Sequence, residues 1–424
     1  MPISPARVAA YEVLLRVERD RGYTSVLLPQ AESNLSERDR SLCHQIVLGV
    51  LRRQYTLDEK IRRFSGNKKI DAEILVSLRM GAYQILFLDR VPDHSVVNDS
   101  VGLVQRARKS SAKGFVNAIL RKIVTEGHSD DRPENLSFST SHPQWLLDRW
   151  AKEYGGERAA SLARANNAPP RLVFRITAAG SASNFEPPEG TTRSEFVDGA
   201  FVAEKMTATL FEAAAQGAIY FQDEASQFIA SRVSLPVGGT LIDLCAAPGG
   251  KTTQIASRSD AFIVAGDIHQ ARVNFLRANA VRQCVSGVNV LRLDAEATLP
   301  FADESFDAIL LDAPCSGTGT IRSNPEIRYY VDPEDIEQLS SKQLTILHNA
   351  SKLLKPSGSL YYSTCSLERD ENEAVIDAFL SSASGFSLQR SDVSGRFSTP
   401  EGFERTFPDR DNTDGFFLAV LVKH

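Results

Sequence analysis

Apolar residues recur at helical spacing through the first part of the chain and in strand-like runs through its second half, and this change of period divides the sequence. Behind Ser4-Pro5, a helix-start signal, Ala6, Ala9, Ala10, Val13, Leu14 and Val17 repeat on one helical face. Ser36, three residues before Asp39, opens a second such pattern through Leu42, Ile46, Val47, Val50 and Leu51, and Asp71 opens a third through Ile74, Leu75, Leu78, Ala82, Ile85 and Leu86. Residues 1–127 therefore read as an all-α bundle, followed by a polar, turn-rich linker from Gly127 to Pro143. A helical pattern resumes from Trp145 to Ala165 and stops at Pro169-Pro170. Short β-branched or aromatic runs follow at Arg171–Ile176, Ala200–Ala203 and Ala218–Gln222, with 180–192 loop-like, so 143–235 is expected to be a small α/β module.

From Pro236-Val237-Gly238-Gly239 onward the alternation is regular. Strands are predicted at 240–244, 261–266, 288–293, 307–312, 359–363 and 416–422, and helices at 251–258, 270–280, 336–354 and 370–381. Strands alternating with helices predict a doubly wound sheet over 236–424. There is no internal repeat and no low-complexity tract.

Composition changes this picture little: 42% hydrophobic and 24% charged residues set aside large-scale disorder. No run approaches eighteen apolar residues and the first residues lack the apolar core of a signal peptide, so a cytoplasmic protein is expected. The five cysteines are odd in number and contain no C-x-x-C pair, which argues against a disulfide framework and a zinc site. Charge does change the picture. Residues 1–130 hold 21 Lys and Arg against 15 Asp and Glu, about +6, and the remainder is −11. Within the first part, Arg52, Arg53, Lys60, Arg62, Arg63, Lys68 and Lys69 interleave with Tyr55 and Phe64, and Arg106, Arg108, Lys109, Lys113, Arg121 and Lys122 form a second cluster. Such clusters suit phosphates, although most charge runs are solvated helix faces.

Candidate chemistry gathers in three loops, each behind a predicted strand and so able to converge at one sheet edge, where ligands of such folds bind. The first, Cys245-Ala246-Ala247-Pro248-Gly249-Gly250-Lys251-Thr252, is a near miss to a phosphate loop, with Cys245 where the first glycine would stand. With Asp312 behind an apolar strand as a magnesium ligand, a nucleotide hydrolase is one reading. The other is a nucleoside site of the S-adenosylmethionine type, in which small residues allow close backbone approach. Asp267 would then accept from ribose hydroxyls, Asp294 would reach an adenine amino group, and Asp312 is a third carboxylate at a strand end.

The second and third loops carry Asp312-Ala313-Pro314-Cys315-Ser316 and Ser363-Thr364-Cys365-Ser366. Two thiols at strand-to-loop transitions suit methylation of a pyrimidine at C5, a poor nucleophile until a thiolate adds to C6. A second group must remove the C5 proton, and a carboxyl group beside the ring can hold N3 and N4. Spacing alone does not say which thiol attacks. Cys43 and Cys284 read as small buried hydrophobes, and Cys245 as a loop residue lining the cofactor.

These motifs, with Asp243–Lys251, Gln222-Asp223-Glu224-Ala225-Ser226 and the ending Asp414-Gly415-Phe416-Phe417, resemble the RsmB (Sun) type of bacterial 16S rRNA (cytosine-5)-methyltransferases within the RsmB/NOP family. The resemblance spans nearly the whole chain. It implies a multidomain protein: an N-terminal NusB-like helical domain that grips rRNA, a small RRM-like α/β module, and a C-terminal Rossmann-like methyltransferase domain. It implies that Cys245, Ala246, Ala247, Pro248, Gly249, Gly250, Lys251, Asp267, Asp294 and Asp312 surround S-adenosylmethionine, with Arg272 nearby. It also implies that Cys365 is the nucleophile, Cys315 the releasing residue and Asp312 a catalytic carboxylate, with 16S rRNA as partner and no metal, in a monomer. The segments Arg38-Asp39-Arg40, Met80–Leu86 and Phe115–Arg121 resemble parts of NusB-like proteins, and Asn324-Pro325-Glu326-Ile327-Arg328 matches a family segment. Ser316-Gly317-Thr318-Gly319 departs from the pattern in being richer in glycine than some relatives. A non-catalytic RNA-binding regulator is the other alternative to the enzyme.

Overall fold

In the computed structural model, which describes residues 3–66, 68–127, 135–392 and 395–424, the helix begun by Ser4-Pro5 runs Pro5–Asp20. Ser36 caps the helix Glu37–Arg52 by accepting from Asp39 N, as its spacing predicts. Asp71 precedes the helix Ala72–Phe87, but its side chain bonds Lys109 at 2.7 Å instead of the helix end. Together with Gln54–Ser65, Asp93–Arg106 and Lys113–Glu126 these helices enclose an apolar core that includes Val13, Ile46, Leu57, Leu78 and Leu120. Arg79, nearly buried, is held there by Asp58 and Glu18 at 2.6 and 2.7 Å. Cys43 is buried in this core, as expected.

The chain divides into two compact units, one of residues 1–167 with 324–330, the other of 168–323 with 331–424. The division falls at 167/168, inside the stretch 143–235 read as one module. The helical pattern from Trp145 forms two helices, Gln144–Tyr154 and Gly156–Ala165, separated by Gly155 with φ +86°. Part of the expected linker, 128–134, lies outside the described residues, and its later part forms the helix Leu136–Thr140.

The sequence-distant piece 324–330 is bonded into the first unit through buried polar groups. Glu326 accepts from Thr24 N at 2.7 Å, and Arg328 donates to Thr140 O at 3.0 Å and Asn167 Oδ1 at 2.9 Å. Tyr329 donates to Leu51 O at 2.7 Å and Tyr330 to Val17 O and Gly22 O, both at 3.0 Å. Each satisfies a carbonyl or amide that would otherwise be costly to bury.

In the second unit, β1 (Leu172–Ile176), β2 (Thr191–Arg193), β3 (Ala200–Ala203) and β4 (Ile219–Phe221) form an antiparallel sheet in the order β2-β3-β1-β4. The expectation of a loop over 180–192 needs correction: the helix Ala178–Ala182, capped by Thr177, and strand β2 occupy its ends. The helices Ala208–Ala215 and Glu224–Arg232 complete this region, each started by a side-chain cap, from Thr207 and Asp223.

The large sheet contains β5 (Thr240–Asp243), β6 (Phe262–Asp267), β7 (Val288–Arg292), β8 (Phe306–Asp312), β9 (Leu354–Thr364), β10 (Phe386–Leu388), β11 (Glu404–Arg405) and β12 (Phe417–Lys423). Its order is β10-β12-β9-β8-β5-β6-β7, with β11 beside β12. The strands from β7 to β9 are parallel, and β12 returns antiparallel to β9. Ala308, Ile309, Leu310 and Leu311 are all buried, as a strand covered on both faces requires. The chain leaves β5 toward β6 and β7 and comes back to β8 on the other side. The order therefore reverses between β5 and β8, and the carboxyl ends of these strands border the crevice where ligands of open α/β sheets bind.

Candidate functional site

The loop after β5 is built against its neighbours by backbone bonds: Leu244 N donates to Leu310 O at 3.1 Å, and Ala246 N to Gly266 O at 2.8 Å. Gly249 has φ +100°, a conformation suited to glycine, and a Cβ there would press Leu276 at 3.1 Å. Arg272 donates to Ala247 O and Asn279 to Pro248 O, each at 2.9 Å, so two side chains of the helix Gln270–Arg282 latch the loop. From the small sheet, buried Arg175 donates to Thr253 Oγ1 at 2.7 Å, Gln283 Oε1 at 3.0 Å and Gly250 O at 3.2 Å. Its place within a short β-branched run disguised this role in the sequence.

Asp267 ends β6 and is nearly buried; its Oδ1 accepts from His269 N at 2.9 Å and its Oδ2 stands 3.6 Å from Arg272 Nε. Asp294 follows β7, is exposed, and accepts from Glu296 N at 3.0 Å, a turn-capping bond. Cys245 lies in the loop, and burial pushes its thiol up, with Asp243, Asp312 and Asp267 adding in the same direction.

Asp243, the first residue of the motif Asp243–Lys251, was given no role of its own in the sequence. It is buried, accepts from Thr252 Oγ1 at 2.7 Å, and its Oδ1 has no hydrogen-bond partner among the described residues. Burial raises its carboxyl to about 7. Because this lies above the ordinary 3.8, the folded chain keeps a proton there that the unfolded chain releases. Stability from this group is full below about pH 4 and is lost as pH rises through about 7. Asp243→Asn is expected to gain stability over the wild type on the order of a few kcal/mol at pH 8 and little at pH 4. Urea midpoints of both proteins at the two pH values measure this, and equal differences at both would refute it.

At the ends of β8 and β9 the two loop cysteines meet, with Cys315 Sγ 3.3 Å from Cys365 Sγ. The parallel register that pairs Asp312 with Ser363 brings the two loops side by side. Lys251 Nζ lies 2.6 Å from Asp312 Oδ2 and 4.7 Å from the centre of the Phe416 ring. Burial pulls the Lys251 ammonium down, but Asp312, Cys365 and Asp243 together outweigh it and hold it above the ordinary lysine value. Ser363 donates to Asp312 Oδ1 at 2.7 Å, so each oxygen of this part-exposed carboxylate has one donor and room for another. Cys315 is pushed well up, first by its bond to Cys365, then by burial, the Cys365 charge, Glu371 and Asp312.

Gly319 lies where two backbones close in: its N–H donates to Cys365 O at 2.9 Å, and its carbonyl accepts from Gly415 N at 2.8 Å. The flanking motif residues are joined too. Asp414 N donates to Asp223 Oδ1 at 3.1 Å, and Ser323 donates to Asp414 at 2.9 Å. The segment Gln222–Ser226 and the ending Asp414–Phe417 are thus bonded to each other through Asp223 and Asp414.

Several expected residues are placed elsewhere. Cys284 is exposed with φ +55°, correcting its reading as a buried hydrophobe; it follows the helix Gln270–Arg282 at a turn. The basic clusters are partly neutralised: Lys60 and Arg63 pair with Glu126, Arg62 with Glu59, Lys109 with Asp71 and Arg106 with Glu12. Tyr55 packs on Tyr329 at 5.3 Å, and Lys122 lies over Phe64. Among the described residues no group of three or more His, Cys, Asp or Glu is arranged to hold a metal ion, and no helix is long and apolar enough to cross a membrane.

Comparison with known proteins adds to this geometry. Residues 234–422 match the profile of the 16S rRNA methyltransferase RsmB/F family, 4–125 the NusB family, and 142–180 the ferredoxin-like domain of RsmF/B-like methyltransferases. The probable ribosomal RNA small subunit methyltransferase B of Bacillus subtilis is 31% identical across 100% of both chains. Ribosomal RNA small subunit methyltransferase B of Pseudomonas putida is 32% identical across 98% of each. Among solved structures, PH0851 matches 100% of both chains with TM-score 0.87 and 26% identity. A methyltransferase homolog from Pyrococcus horikoshii matches 68% of this chain and 98% of its own with TM-score 0.57 and 28% identity.

Proposed function

This chain belongs to the RsmB/F family of 16S rRNA methyltransferases, and on that premise we propose that it methylates C5 of a cytosine in 16S rRNA through a covalent bond from Cys365. As a member it is an S-adenosylmethionine-dependent rRNA methyltransferase. In this reading residues 1–127 hold the RNA, 143–235 form the connecting module and 236–424 carry the chemistry, in the cytoplasm and in a single copy of the chain.

The residues present fit the cofactor. A side chain at Gly249 or Gly250 would meet Leu276 or Tyr220 at 3.1 Å, and the Asp243 oxygen without a partner among the described residues is a polar atom left over at the end of β5, where this loop begins. Cys245, Ala246, Ala247, Pro248, Gly249, Gly250, Lys251, Asp267, Asp294 and Asp312 would hold it. Bound there, S-adenosylmethionine supplies an electrophilic methyl group.

The observation that carries the proposal is the approach of two thiols to 3.3 Å beside the Lys251–Asp312 ion pair. The surroundings of Cys315 hold its proton on that sulfur, whereas Cys365 is the sulfur that interacts with the Lys251 ammonium, and we take Cys365 as the attacking sulfur. The Cys365 sulfur adds to C6, and the electrons of the 5,6 double bond move onto C5, which then takes the methyl group. Asp312 has acceptor capacity left for the ring amino group. Once Cys365 is bound to carbon it no longer bears the charge that held the proton on Cys315. The Cys315 proton can then leave to solvent, and the freed thiolate takes the C5 proton while the double bond reforms and expels Cys365. The target base must leave its stack to reach the sulfurs.

The same geometry weighs against a nucleotide hydrolase, because the lysine such an enzyme would aim at phosphate is spent on Asp312 and the thiols would have no task. Incubating the protein with unmodified 16S rRNA and methyl-labelled cofactor, then digesting to nucleosides, is expected to give label in 5-methylcytidine. Label in another nucleoside would refute the C5 assignment, and RNA binding without label would favour a regulator.

A further inference from the structure

Beneath the two thiols lies a carboxylate that the reaction above does not use. Glu371, fully buried in the turn Arg369–Glu371, accepts from Ser316 N at 2.8 Å and Gln343 Nε2 at 3.0 Å through Oε1. Through Oε2 it accepts from Ser366 Oγ at 2.5 Å and from Ser316 Oγ. Ser316 follows Cys315 and Ser366 follows Cys365, so one side chain grips the residue after each cysteine. Its remaining contacts extend the hold: Tyr362 donates to Glu371 O at 2.6 Å, and Gln343 also donates to Pro314 O at 2.9 Å. All four donors to the carboxylate are neutral, so none of them cancels its charge by ion pairing.

We propose that Glu371 is a positioning residue for both thiols: it sets their approach and, by placing negative charge beside Cys315, decides which sulfur keeps the shared proton. The inference rests on the reading of Cys365 as nucleophile and Cys315 as releasing base. The titratable groups facing Cys315 are Cys365 from the loop after β9, Tyr362 from β9, Asp312 from β8 and Glu371 from its turn, with Lys251 facing Asp312 and Cys365. Of these, Glu371 belongs neither to the thiol pair nor to the Lys251–Asp312 ion pair. It makes the Cys315 thiolate a stronger base for the C5 proton and holds the resting proton on Cys315. Burial raises Glu371 on balance, and the bonds from Ser316, Ser366 and Gln343 oppose that rise.

The test uses the full chain with unmodified 16S rRNA and labelled cofactor, following covalent adduct on denaturing gels, methyl incorporation, and the pH profile of adduct release. Glu371→Gln keeps the shape and removes the charge. Its release step is expected to slow about tenfold and the acid limb of its profile to move to lower pH, with adduct formation less affected. A scaffold role alone would slow both steps together and leave the profile in place, and that outcome would overturn the proposal. Should Glu371→Gln fail to fold, judged by circular dichroism, Ser366→Ala removes one hydroxyl donor and is expected to slow release more than formation; equal slowing overturns the proposal. Cys315→Ala, run alongside, separates the two failures. Adduct there with an unmoved Glu371→Gln profile sinks the role of Glu371 alone, whereas no adduct in any variant sinks the thiol mechanism and this inference with it.

Discussion

Cys365→Ala is expected to reduce methyl transfer to 16S rRNA by on the order of a thousandfold or more, with cofactor and RNA binding largely retained. Without the sulfur, nothing at the ends of β8 and β9 can saturate C6 from the same position, and C5 stays too electron-poor to take a methyl group. Cys315→Ala should behave differently: the carbon–sulfur bond forms and the methyl group is transferred, but the C5 proton has no nearby base. A protein–RNA adduct stable on denaturing gels should therefore accumulate in Cys315→Ala and be absent from Cys365→Ala. The reverse pattern would exchange the roles, which the near contact of 3.3 Å between equivalent sulfurs leaves open on distance alone. What separates them is environment. The bond from Cys365, then burial, Glu371 and Asp312 favour the protonated form of Cys315, whereas Cys365 is the sulfur that interacts with the Lys251 ammonium.

Gly319→Ala should be among the most damaging small substitutions in the second unit. A Cβ at this position would lie 2.1 Å from Gly415 O and 2.8 Å from Cys365 O, both backbone atoms. Neither can retreat freely, since Gly319 is bonded to both residues through its own N–H and carbonyl. Overpacking against backbone is expected to cost about 3 kcal/mol. The displaced Cys365 carbonyl should shift the sulfur as well, and a misplacement near 1 Å lowers rate about a hundredfold. Thermal unfolding and methyl-transfer rates measured on the same preparation test both effects. Wild-type values for either would mean that the three backbones are looser than this packing implies.

Much of the architecture was legible locally. Each strand predicted over 236–424 lies within one or two residues of an observed one, apart from the earlier start of β9, because apolar runs and their Gly and Pro punctuation are properties of neighbouring residues. The helix predicted from 336 starts at Pro333 instead, where Asp332 and Asp335 form a capping box that the apolar pattern does not reveal. Short elements escaped: β10 and β11 have three and two residues, and Ala208–Ala215 hides its helix in an alanine-rich stretch without a clear polar face. The three loops were visible as motifs, and their convergence followed from sheet topology. Contacts between distant residues were not legible. Glu371 sits in the acid-rich run Glu368-Arg369-Asp370-Glu371-Asn372-Glu373, to which the sequence assigned no role beyond the start of a helix, yet Glu368, Glu371 and Glu373 are all buried. Lys60 likewise pairs with Glu126 in a buried position, and Arg63 and Lys109 reach carboxylates far along the chain from exposed ones, so part of the apparent phosphate-binding surface is neutralised in a way that the sequence did not reveal.

The seven residues Asn324–Tyr330 carry a consequence for how this polypeptide comes into being. Leu51, Val17, Thr140 and Thr24 wait for hydrogen-bond partners that are encoded more than 150 residues downstream of them all. During synthesis the helical unit leaves the translating ribosome before its last component has been made. The docking of this segment is therefore a late event that follows completion of the half carrying the thiols, and a shortened product ending at residue 167 would keep its apolar core but leave those polar groups without these partners.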